Sequence, residues 1–253
     1  MKLIGHRGLM NDCPQNTIQS FELAIRSGVD MIEFDVQTAK TGEVIIFHDD
    51  DAYKITRGSS SNEIITNLTF DEIRQLNVHD GFNIDNNIFY QISTLEEVLE
   101  LVNKLGNELG TKTRINIELK SNATAEPVAK ILDKYLKNGL FQYENIIISS
   151  FRHNELEIFH KLIPNIDIAV LIDDDQWIEL NQDCKEAIKL TKLLHGVSLN
   201  PSISFVNIEL IKEAHENNIE INVWTIRNQN DYDRIKELGV DGIFTNTLNL
   251  EFG

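Results

Sequence analysis

Two histidines stand at the ends of short apolar segments in the first fifth of the chain. His6 closes the segment that begins at Leu3, and His48 closes the segment that begins at Val44. An imidazole titrates close to neutral pH, with an ordinary pKa of about 6.5. One histidine can therefore accept a proton from an attacking hydroxyl while the other donates a proton to a departing alkoxide. Cleavage of a phosphodiester needs such an acid/base pair.

Carboxylates occur inside two further apolar segments. Glu33 and Asp35 are two residues apart and share one face of a strand, and Glu118 lies in a later segment that alternates polar and apolar residues. A carboxylate in an apolar strand is costly to bury unless a cation, a partner or water compensates its charge. Three converging carboxylates predict a site for one divalent cation, and their hard oxygen ligands suit either Mg²⁺ or Ca²⁺.

Two basic residues accompany these groups. Arg7 follows His6 directly, and Lys120 shares the strand face of Glu118. A guanidinium can bind two phosphate oxygens at once, so Arg7 and Lys120 are candidate phosphate-binding residues. The alternative is that both form internal salt bridges with the carboxylates. Trp224, near the end of another apolar segment, is either a core residue or a wall of the substrate pocket.

Other polar residues are interpreted as structural. Asp49 to Asp51 are expected to form a solvated loop, and Cys13 is expected to be an incidental loop residue because no base is recognisable beside it. Five further histidines are expected to have no part in chemistry: His79, His153, His160, His195 and His215.

Nine short apolar segments have the length of buried strands. They are Leu3 to His6, Met31 to Val36, Val44 to His48, Ile115 to Leu119, Ile146 to Ser149, Ile168 to Ile172, Gly196 to Leu199, Ile221 to Thr225 and Gly242 to Thr245. Most are separated by amphipathic stretches, and this alternation is typical of a parallel sheet with helices outside it. We predict a single distorted (β/α)8 TIM barrel over residues 1–253, which would bring the strand-end residues together at one mouth.

The second and third segments are joined differently. The connection contains Thr41-Gly42 and is too short for a helix, so it predicts an antiparallel hairpin. A turn centred near Lys40 to Thr41 would place Glu33 opposite His48. The polar stretch 49–93 is too long for a simple loop, and we expect it to form a small cap that governs substrate preference at the barrel mouth.

Helix starts are marked by capping signatures. Asn16 is expected to cap the first helix, with Gln19 as its partner three residues on. Thr69 with Glu72, and Thr94 with Glu97, repeat this pattern. A later helix is expected from Asp231 to Leu238, ending at Gly239.

The composition excludes several classes of partner. The chain has 40 acidic and 23 basic residues among 253, so its field repels nucleic acids and anionic membrane surfaces. Its two cysteines are too few for a disulfide framework, and its first residues resemble no signal peptide. We therefore expect a cytoplasmic protein with no nucleic-acid partner and no stable membrane association.

The order and spacing of several short motifs resemble the glycerophosphodiester phosphodiesterase family from His6 to Asn246. The motifs are His6-Arg7-Gly8, Pro14-Gln15-Asn16-Thr17, Ile32-Glu33-Phe34-Asp35-Val36, His48-Asp49, Thr56-Arg57-Gly58, Ser93-Thr94-Leu95-Glu96-Glu97, Ile117-Glu118-Leu119-Lys120, Ser150-Phe151, Val223-Trp224-Thr225 and Asp241-Gly242-Ile243-Phe244-Thr245-Asn246. Each motif alone is weakly specific, but their combination is highly specific.

The resemblance implies roles for the candidate residues. It implies His6 and His48 as the catalytic pair, Glu33, Asp35 and Glu118 as ligands of Mg²⁺ or Ca²⁺, Arg7 and Lys120 as phosphate contacts, and Trp224 as a pocket residue. The implied reaction is hydrolysis of a small-molecule glycerophosphodiester to glycerol 3-phosphate and an alcohol. The attacking oxygen would come from the neighbouring glycerol hydroxyl, through a cyclic phosphate, or directly from water.

Two positions depart from the family pattern. Gln15 stands where such proteins usually have glutamate, and Thr247 stands where a proline is frequent.

Two other functions also remain open: a phosphodiesterase of lysophospholipase D type, and a non-catalytic barrel that binds phosphorylated ligands. We expect a monomer or a homodimer.

Overall fold

The protein is described by a computed structural model that covers residues 1–56, 62–79, 82 and 88–251. The strands are β1 Lys2–His6, β2 Met31–Thr38, β3 Val44–Ile46, β4 Arg114–Leu119, β5 Ile146–Ser150, β6 Asp167–Ile172, β7 Gly196–Pro201, β8 Glu220–Ile226 and β9 Gly242–Thr245. The α-helices are α1 Ile18–Arg26, α2 Phe70–Ile73, α3 Leu95–Leu109, α4 Ala125–Lys137, α5 His153–Leu162, α6 Asp174–Glu179, α7 Cys184–Leu193, α8 Ile208–Glu216 and α9 Gln229–Leu238. Each of the nine predicted segments overlaps one of the nine strands in the described residues.

Eight of these strands form a closed parallel barrel. Their order is β1-β9-β8-β7-β6-β5-β4-β2, and β2 pairs with β1 to close the ring. The extra strand β3 pairs antiparallel with β2 outside this ring. The predicted distorted (β/α)8 barrel, with its hairpin at the second and third strands, is confirmed.

The register of the hairpin differs from the prediction by one residue. Val36 pairs with Ile46 and Thr38 with Val44, so the ladder continued inward would place Phe34, and not Glu33, opposite His48. The reason lies in the turn, which is centred on Thr41. His48 also lies two residues beyond the end of β3. Its position therefore depends on the following loop and not on the strand ladder.

Two hydrophobic layers hold the barrel together. The larger lies between the sheet and the helices, where for example Phe21 of α1 packs on Phe34 of β2 with ring centroids 5.5 Å apart. Burial of one such side chain contributes about 1.5–3 kcal/mol. A smaller cluster of Ile4, Met31, Ile147, Ala169 and Phe244 fills the inside of the barrel. Ile4 and Met31 precede His6 and Glu33 by two residues, so this cluster forms the floor of the site at the strand ends.

The loop after β4 is held by a carboxylate of a neighbouring helix. Thr124, the residue before α4, forms no side-chain cap. Instead, the buried Glu155 of α5 accepts hydrogen bonds from the backbone N–H groups of Ala123, Thr124 and Ala125 at 2.9–3.1 Å. A carboxylate at a helix N-terminus also interacts favourably with the helix dipole. Glu155 thus fixes the segment that follows Lys120.

The predicted helix starts are confirmed with two exceptions. Thr17, and not Asn16, caps α1, because Asn16 has a positive φ of 56° and its side chain points elsewhere. The last helix, α9, begins at Gln229, two residues before the predicted start, because Asn228 caps it. Both capping boxes, Thr69 with Glu72 and Thr94 with Glu97, are present.

The described residues of the 49–93 segment pack on the hairpin and not on the main core. Ala52, Ile55, Ile65 and Ile73 form a separate hydrophobic cluster with residues of β3. Residues 57–61, 80–81 and 83–87, which include Arg57 and Gly58 of the Thr56-Arg57-Gly58 motif, lie outside the described residues.

Candidate active site

A cavity of about 570 Å³ opens at the carboxyl ends of the barrel strands. Parallel barrels carry their chemistry at this end. The cavity is lined by seven of the eight predicted site residues: His6, Arg7, Glu33, His48, Glu118, Lys120 and Trp224. The eighth, Asp35, lies directly behind the wall, where it contacts Arg7 and Lys120. The structure therefore brings all eight together.

The three carboxylates converge because of the strand register. Glu33 is the neighbour of His6 across β1 and β2, and Asp35 is the neighbour of Glu118 across β2 and β4. Each carboxylate offers an oxygen within 4.8 Å of the other two. Asp35 is 0% exposed, Glu33 2% and Glu118 7%. Bulk water therefore cannot compensate their charge.

Arg7 and Lys120 compensate the carboxylates in part. Arg7 Nε lies 3.3 Å from Asp35 Oδ2, and Lys120 Nζ donates to Glu118 Oε1 at 2.7 Å and lies 3.7 Å from Asp35 Oδ1. The ion pairs considered in the sequence analysis are therefore present, although both side chains also line the cavity. Three carboxylates against two cations leave an excess of one negative charge.

The pKa values reflect this excess. Burial, together with the charges of Asp35 and Glu118, raises the pKa of Glu33 well above its usual range. Burial also raises the pKa of Glu118, against the opposing effect of Lys120. Burial alone would raise the pKa of Asp35 as well, but Arg7 and Lys120 hold it below its ordinary value. Two carboxylates thus lack sufficient compensation of their charge.

The donor set fits a hard divalent cation. Asp35 Oδ1 and Asn116 Oδ1 are buried and accept no hydrogen bond from any residue that the structure describes. Asn116 pairs with Glu33 in the register of β2 and β4 and shares the strand face of Glu118, so its neutral oxygen is a further candidate ligand. Oxygen ligands of this kind, with an excess negative charge, are what Mg²⁺ and Ca²⁺ bind in proteins. Glu33, Asp35 and Glu118 would hold the cation.

The two histidines have different partners. His6 Nδ1 donates to the side-chain oxygen of Asn246 at 2.7 Å, which leaves Nε2 as an acceptor. Burial and the charge of Arg7 lower the pKa of His6 to about 3, so this imidazole is neutral at pH 7. His48 Nδ1 donates to Asp49 Oδ1 at 2.6 Å. This hydrogen bond lowers the pKa of Asp49 and keeps the carboxylate ionised beside His48.

A tight turn after β1 positions Arg7. Arg7 has a φ of 54° and Gly8 a φ of 83°, so both lie in the left-handed region. A Cβ on Gly8 would lie 2.2 Å from the hydroxyl oxygen of Ser20 in α1, so only glycine fits. The turn directs the backbone N–H of Arg7 to Glu33 Oε2 at 3.0 Å. Gln15 accepts from Arg7 Nη1 at 2.6 Å.

Aromatic and charged residues form the wall opposite the carboxylates. Trp224 packs edge-on against Phe151 with ring centroids 5.4 Å apart, and its Nε1 donates to Asn200 O. Lys120 Nζ lies 5.4 Å from the centre of the Phe151 ring. The structure thus places Trp224 in the cavity wall. Three charged residues complete the lining on this side: Arg152, Asp173 and Arg227.

Several residues around the site were not predicted from the sequence. Asn16, interpreted as a helix cap, donates to Asp35 Oδ2 at 2.9 Å. Asp49, interpreted as a loop residue, is the partner of His48. Arg152 and Arg227 were not considered at all. The sequence positions of Asp49 and the two arginines could have marked them as candidate site residues. Asp49 follows His48 directly, and each arginine lies within two residues of a strand end.

The five remaining histidines do not line this cavity, and their structural interpretation stays a prediction. None of the described residues in 49–93 lines it either. The predicted control of substrate preference by this segment thus stays a prediction for the residues outside the described ranges.

Comparison with known proteins identifies relatives over the whole length. The model of the glycerophosphoryl diester phosphodiesterase family matches residues 6–250. A glycerophosphodiester phosphodiesterase of Bacillus altitudinis is 31% identical over 96% of this chain and 94% of its own length. A protein of the same name from Caldanaerobacter subterraneus is also 31% identical, over 96% of this chain and 93% of its own.

Solved structures share the fold. A putative glycerophosphoryl diester phosphodiesterase from Silicibacter pomeroyi superposes with a TM-score of 0.84 at 24% identity, over 98% of this chain and 90% of that one. A phosphodiesterase from Oleispira antarctica, solved in complex with the product sn-glycerol-3-phosphate, gives a TM-score of 0.78 at 23% identity, over 97% and 93% of the two chains. Within the described residues, no helix has the length and apolar character needed to cross a membrane.

Proposed function

This chain belongs to the glycerophosphoryl diester phosphodiesterase family, and from that premise we propose that it hydrolyses glycerophosphodiesters to glycerol 3-phosphate and an alcohol in a reaction that depends on Mg²⁺ or Ca²⁺. The observation that carries the proposal is the meeting of two differently partnered histidines and three buried carboxylates on one cavity. The complex of the Oleispira antarctica relative with sn-glycerol-3-phosphate supports the choice of product.

The histidines divide the proton transfers between them. His6 is neutral and its Nε2 is free to accept, so it takes the proton of the attacking hydroxyl. His48 Nδ1 donates to the carboxylate of Asp49, and this hydrogen bond fixes the orientation of the ring at the cavity wall. With His6 as the base, His48 is the second imidazole at the cavity and supplies a proton to the alkoxide that leaves phosphorus. His6 as the base and His48 as the acid can act in the same way whether the attacking group is a glycerol hydroxyl or a water molecule.

Charge on the phosphate is compensated by side chains of the same wall. Arg7 and Lys120 reach the cavity with fixed positive charge while their other contacts hold them on Asp35 and Glu118. Arg7 can bind two phosphate oxygens, and Lys120 acts as a point charge. Glu33, Asp35 and Glu118 would hold a divalent cation, which would supply Lewis-acid polarisation of the phosphate. Trp224 and Phe151 exclude water from the opposite side.

Product analysis distinguishes this proposal from lysophospholipase D-type activity. With Mg²⁺ or Ca²⁺ present, we expect the protein to release glycerol 3-phosphate from glycerophosphocholine with kcat/KM at least about tenfold above that for choline release from lysophosphatidylcholine. The reason is that a glycerophosphodiester is already dissolved, whereas a lysophospholipid must first leave a micelle or membrane, at a cost of about 0.8 kcal/mol for each CH₂ group that is exposed to water. Faster turnover of the lysophospholipid would favour the alternative, and tight binding of both without turnover would favour a non-catalytic phospho-ligand barrel.

The setting of the reaction is also a prediction. Cys13 and Cys184 are free thiols, which supports a reducing compartment such as the cytoplasm. The substrate is a small molecule, and a monomer or homodimer stays our prediction for the assembly.

A further inference from the structure

The cavity has a second half that takes no part in the proposed proton transfers or in binding of the reacting phosphate. In the ring order of the barrel, β1, β2 and β4 carry the histidine and carboxylate side, while β5, β6 and β8 form the other side. From this second half come Phe151, Arg152, Asp173, Trp224 and Arg227. This half lines the same cavity as the catalytic side, so it is available to the part of a substrate that extends away from the reacting phosphate.

Two arginines in this half have no acidic side-chain partner among the residues that the structure describes. Neither Arg152 nor Arg227 forms an ion pair with a carboxylate of any described residue, although the chain carries 40 acidic residues against 23 basic ones. By contrast, Arg7 and Lys120 are paired with Asp35 and Glu118. The charge of Arg7 and Lys120 is thus partly compensated inside the protein, whereas the charge of Arg152 and Arg227 is available to a ligand.

Arg152 is held in place without being neutralised. Its Nε donates to the backbone oxygen of Lys120 at 2.8 Å and its Nη1 to Asn122 Oδ1 at 3.2 Å. Both acceptors are uncharged, so the guanidinium keeps its full charge and its orientation costs little on binding. Arg227 lies on the other side of the same half, after β8. Both side chains are exposed at the rim, whereas Phe151 and Trp224 lie partly buried.

Asp173 is the acidic residue that lines this half, and it offsets the arginines in part. Its Oδ1 accepts from the backbone N–H of Gln176 at 2.8 Å, where it caps α6. Two guanidinium groups and one carboxylate line this half, and Asp231 lies behind Arg227, where its Oδ2 accepts from the backbone N–H of Arg227 at 3.3 Å. The cavity lining on this side is therefore positive, although the chain as a whole has a net charge of −17. A cationic head group such as choline would meet repulsion from both arginines here, and an anionic group would be attracted.

We propose that Arg152 and Arg227 form a subsite for a second anionic group, so that the preferred substrates are glycerophosphodiesters whose alcohol itself carries a phosphate. This proposal rests on the proposed function and adds the class of leaving alcohol. The aromatic pair Phe151 and Trp224 contacts the carbon skeleton between the two phosphates, and the two guanidinium groups bind the outer phosphate by charge-assisted hydrogen bonds.

The test compares two substrates in which the leaving group is a primary hydroxyl of a glycerol unit. Glycerophosphoglycerol has one phosphodiester, and bis(glycerophospho)glycerol has an identical scissile bond with a second phosphodiester beyond it. We expect kcat/KM for the second to exceed that for the first by about tenfold or more, beyond the statistical factor of about two for its equivalent bonds. The ratio should fall as salt is raised from 0.05 to 0.5 M because ionic screening shortens the reach of the rim charges.

Variants assign the effect to the arginines. Arg227→Gln should lower the ratio of the two kcat/KM values several-fold without disturbing the contacts of Arg152. The double variant Arg152→Gln/Arg227→Gln should lower this ratio to about two, the value expected from the number of equivalent bonds alone. Arg234→Gln, at an exposed arginine outside the cavity, should leave the ratio at the wild-type value. A wild-type ratio at or below the statistical value, or an equal loss on both substrates, would overturn the proposal.

Binding separates this proposal from the proposed function. The dissociation constants of both compounds for His48→Ala, which needs no turnover, should differ in the same direction by about tenfold, and the difference should vanish when both arginines are replaced. Equal dissociation constants would overturn the subsite even if hydrolysis is confirmed. Failure of wild-type protein to hydrolyse either compound, with the difference in binding preserved, would contradict the proposed function and leave the subsite supported.

Discussion

Replacement of His48 by alanine is expected to lower kcat for glycerophosphodiester hydrolysis by about 10³-fold, and His6→Ala by a similar factor. Each substitution removes one of two proton transfers, and a positioned acid or base contributes about 10²–10⁴-fold. Both side chains are only partly buried at the cavity, so the melting temperature should change little. Steady-state kinetics with saturating cation, together with thermal denaturation, measure the two effects.

The chain contains a matched control for the histidine variants. His215 also pairs with a carboxylate, since its Nε2 lies 2.9 Å from Asp241 Oδ2, but it lies outside the cavity. His215→Ala should retain wild-type kcat. Asp49→Asn, which keeps an acceptor beside His48 but removes its charge, should give a loss smaller than that of His48→Ala. Near-normal turnover in either His6→Ala or His48→Ala would overturn the acid/base assignment.

Glu118→Gln is expected to weaken binding of Mg²⁺ or Ca²⁺ by about 100-fold or more. Loss of a group that only supports a metal ligand costs about 10–100-fold in affinity, and loss of a ligand charge should cost at least as much. The folded protein should tolerate the change, because burial raises the pKa of Glu118 and glutamine keeps an oxygen for Lys120. Metal titration followed by calorimetry measures the dissociation constant directly.

Thermal stability gives a second readout of the same prediction. A cation at about 100 times its dissociation constant stabilises the wild-type protein by roughly 2.7 kcal/mol, and the variant should lose most of this stabilisation at the same concentration. Glu186→Gln, at an exposed carboxylate paired with Lys189 on α7, should bind metal as the wild type does. An unchanged dissociation constant in Glu118→Gln would contradict the assignment of this residue as a ligand.

The barrel could be predicted because its signals are local and repeated. Each strand is a short apolar segment, and the amphipathic stretches between them predict helices on the outside. Side chains alternate between the two faces of a strand, so Glu33 could be placed on the same face of its strand as Asp35. Asn116 could be placed on the same face of its strand as Glu118 for the same reason. The short connection around Gly42 is also a local signal, and it predicted the hairpin.

Long-range contacts could not be predicted in this way. Capping preference made Asn16 a helix cap, but the side chain of Asn16 instead binds Asp35 on the neighbouring strand, 19 residues away. The capping of α4 by Glu155 depends on a residue 30–32 positions later. Such contacts depend on how the elements pack, and no local pattern encodes them.

The hairpin register and the partner of His48 are two further features that the sequence alone did not predict correctly. A shift of one residue in the turn moved Phe34 into the place expected for Glu33, because the side-chain period of a strand is two. His48 nevertheless reaches the cavity, since the loop beyond β3 positions it with Asp49 as its partner. A run of aspartates after a strand looks like a solvated loop, and only the structure distinguishes Asp49 from its neighbours.

The most direct test of this account is release of glycerol 3-phosphate from glycerophosphocholine and glycerophosphoethanolamine by protein stripped of metal, before and after separate addition of Mg²⁺ and Ca²⁺. We expect little release by the stripped protein and restoration by at least one of the two cations, because three buried carboxylates that could hold a cation lie beside the histidine pair. Full activity of the stripped protein, or no release with either cation from well-folded protein, would contradict the account.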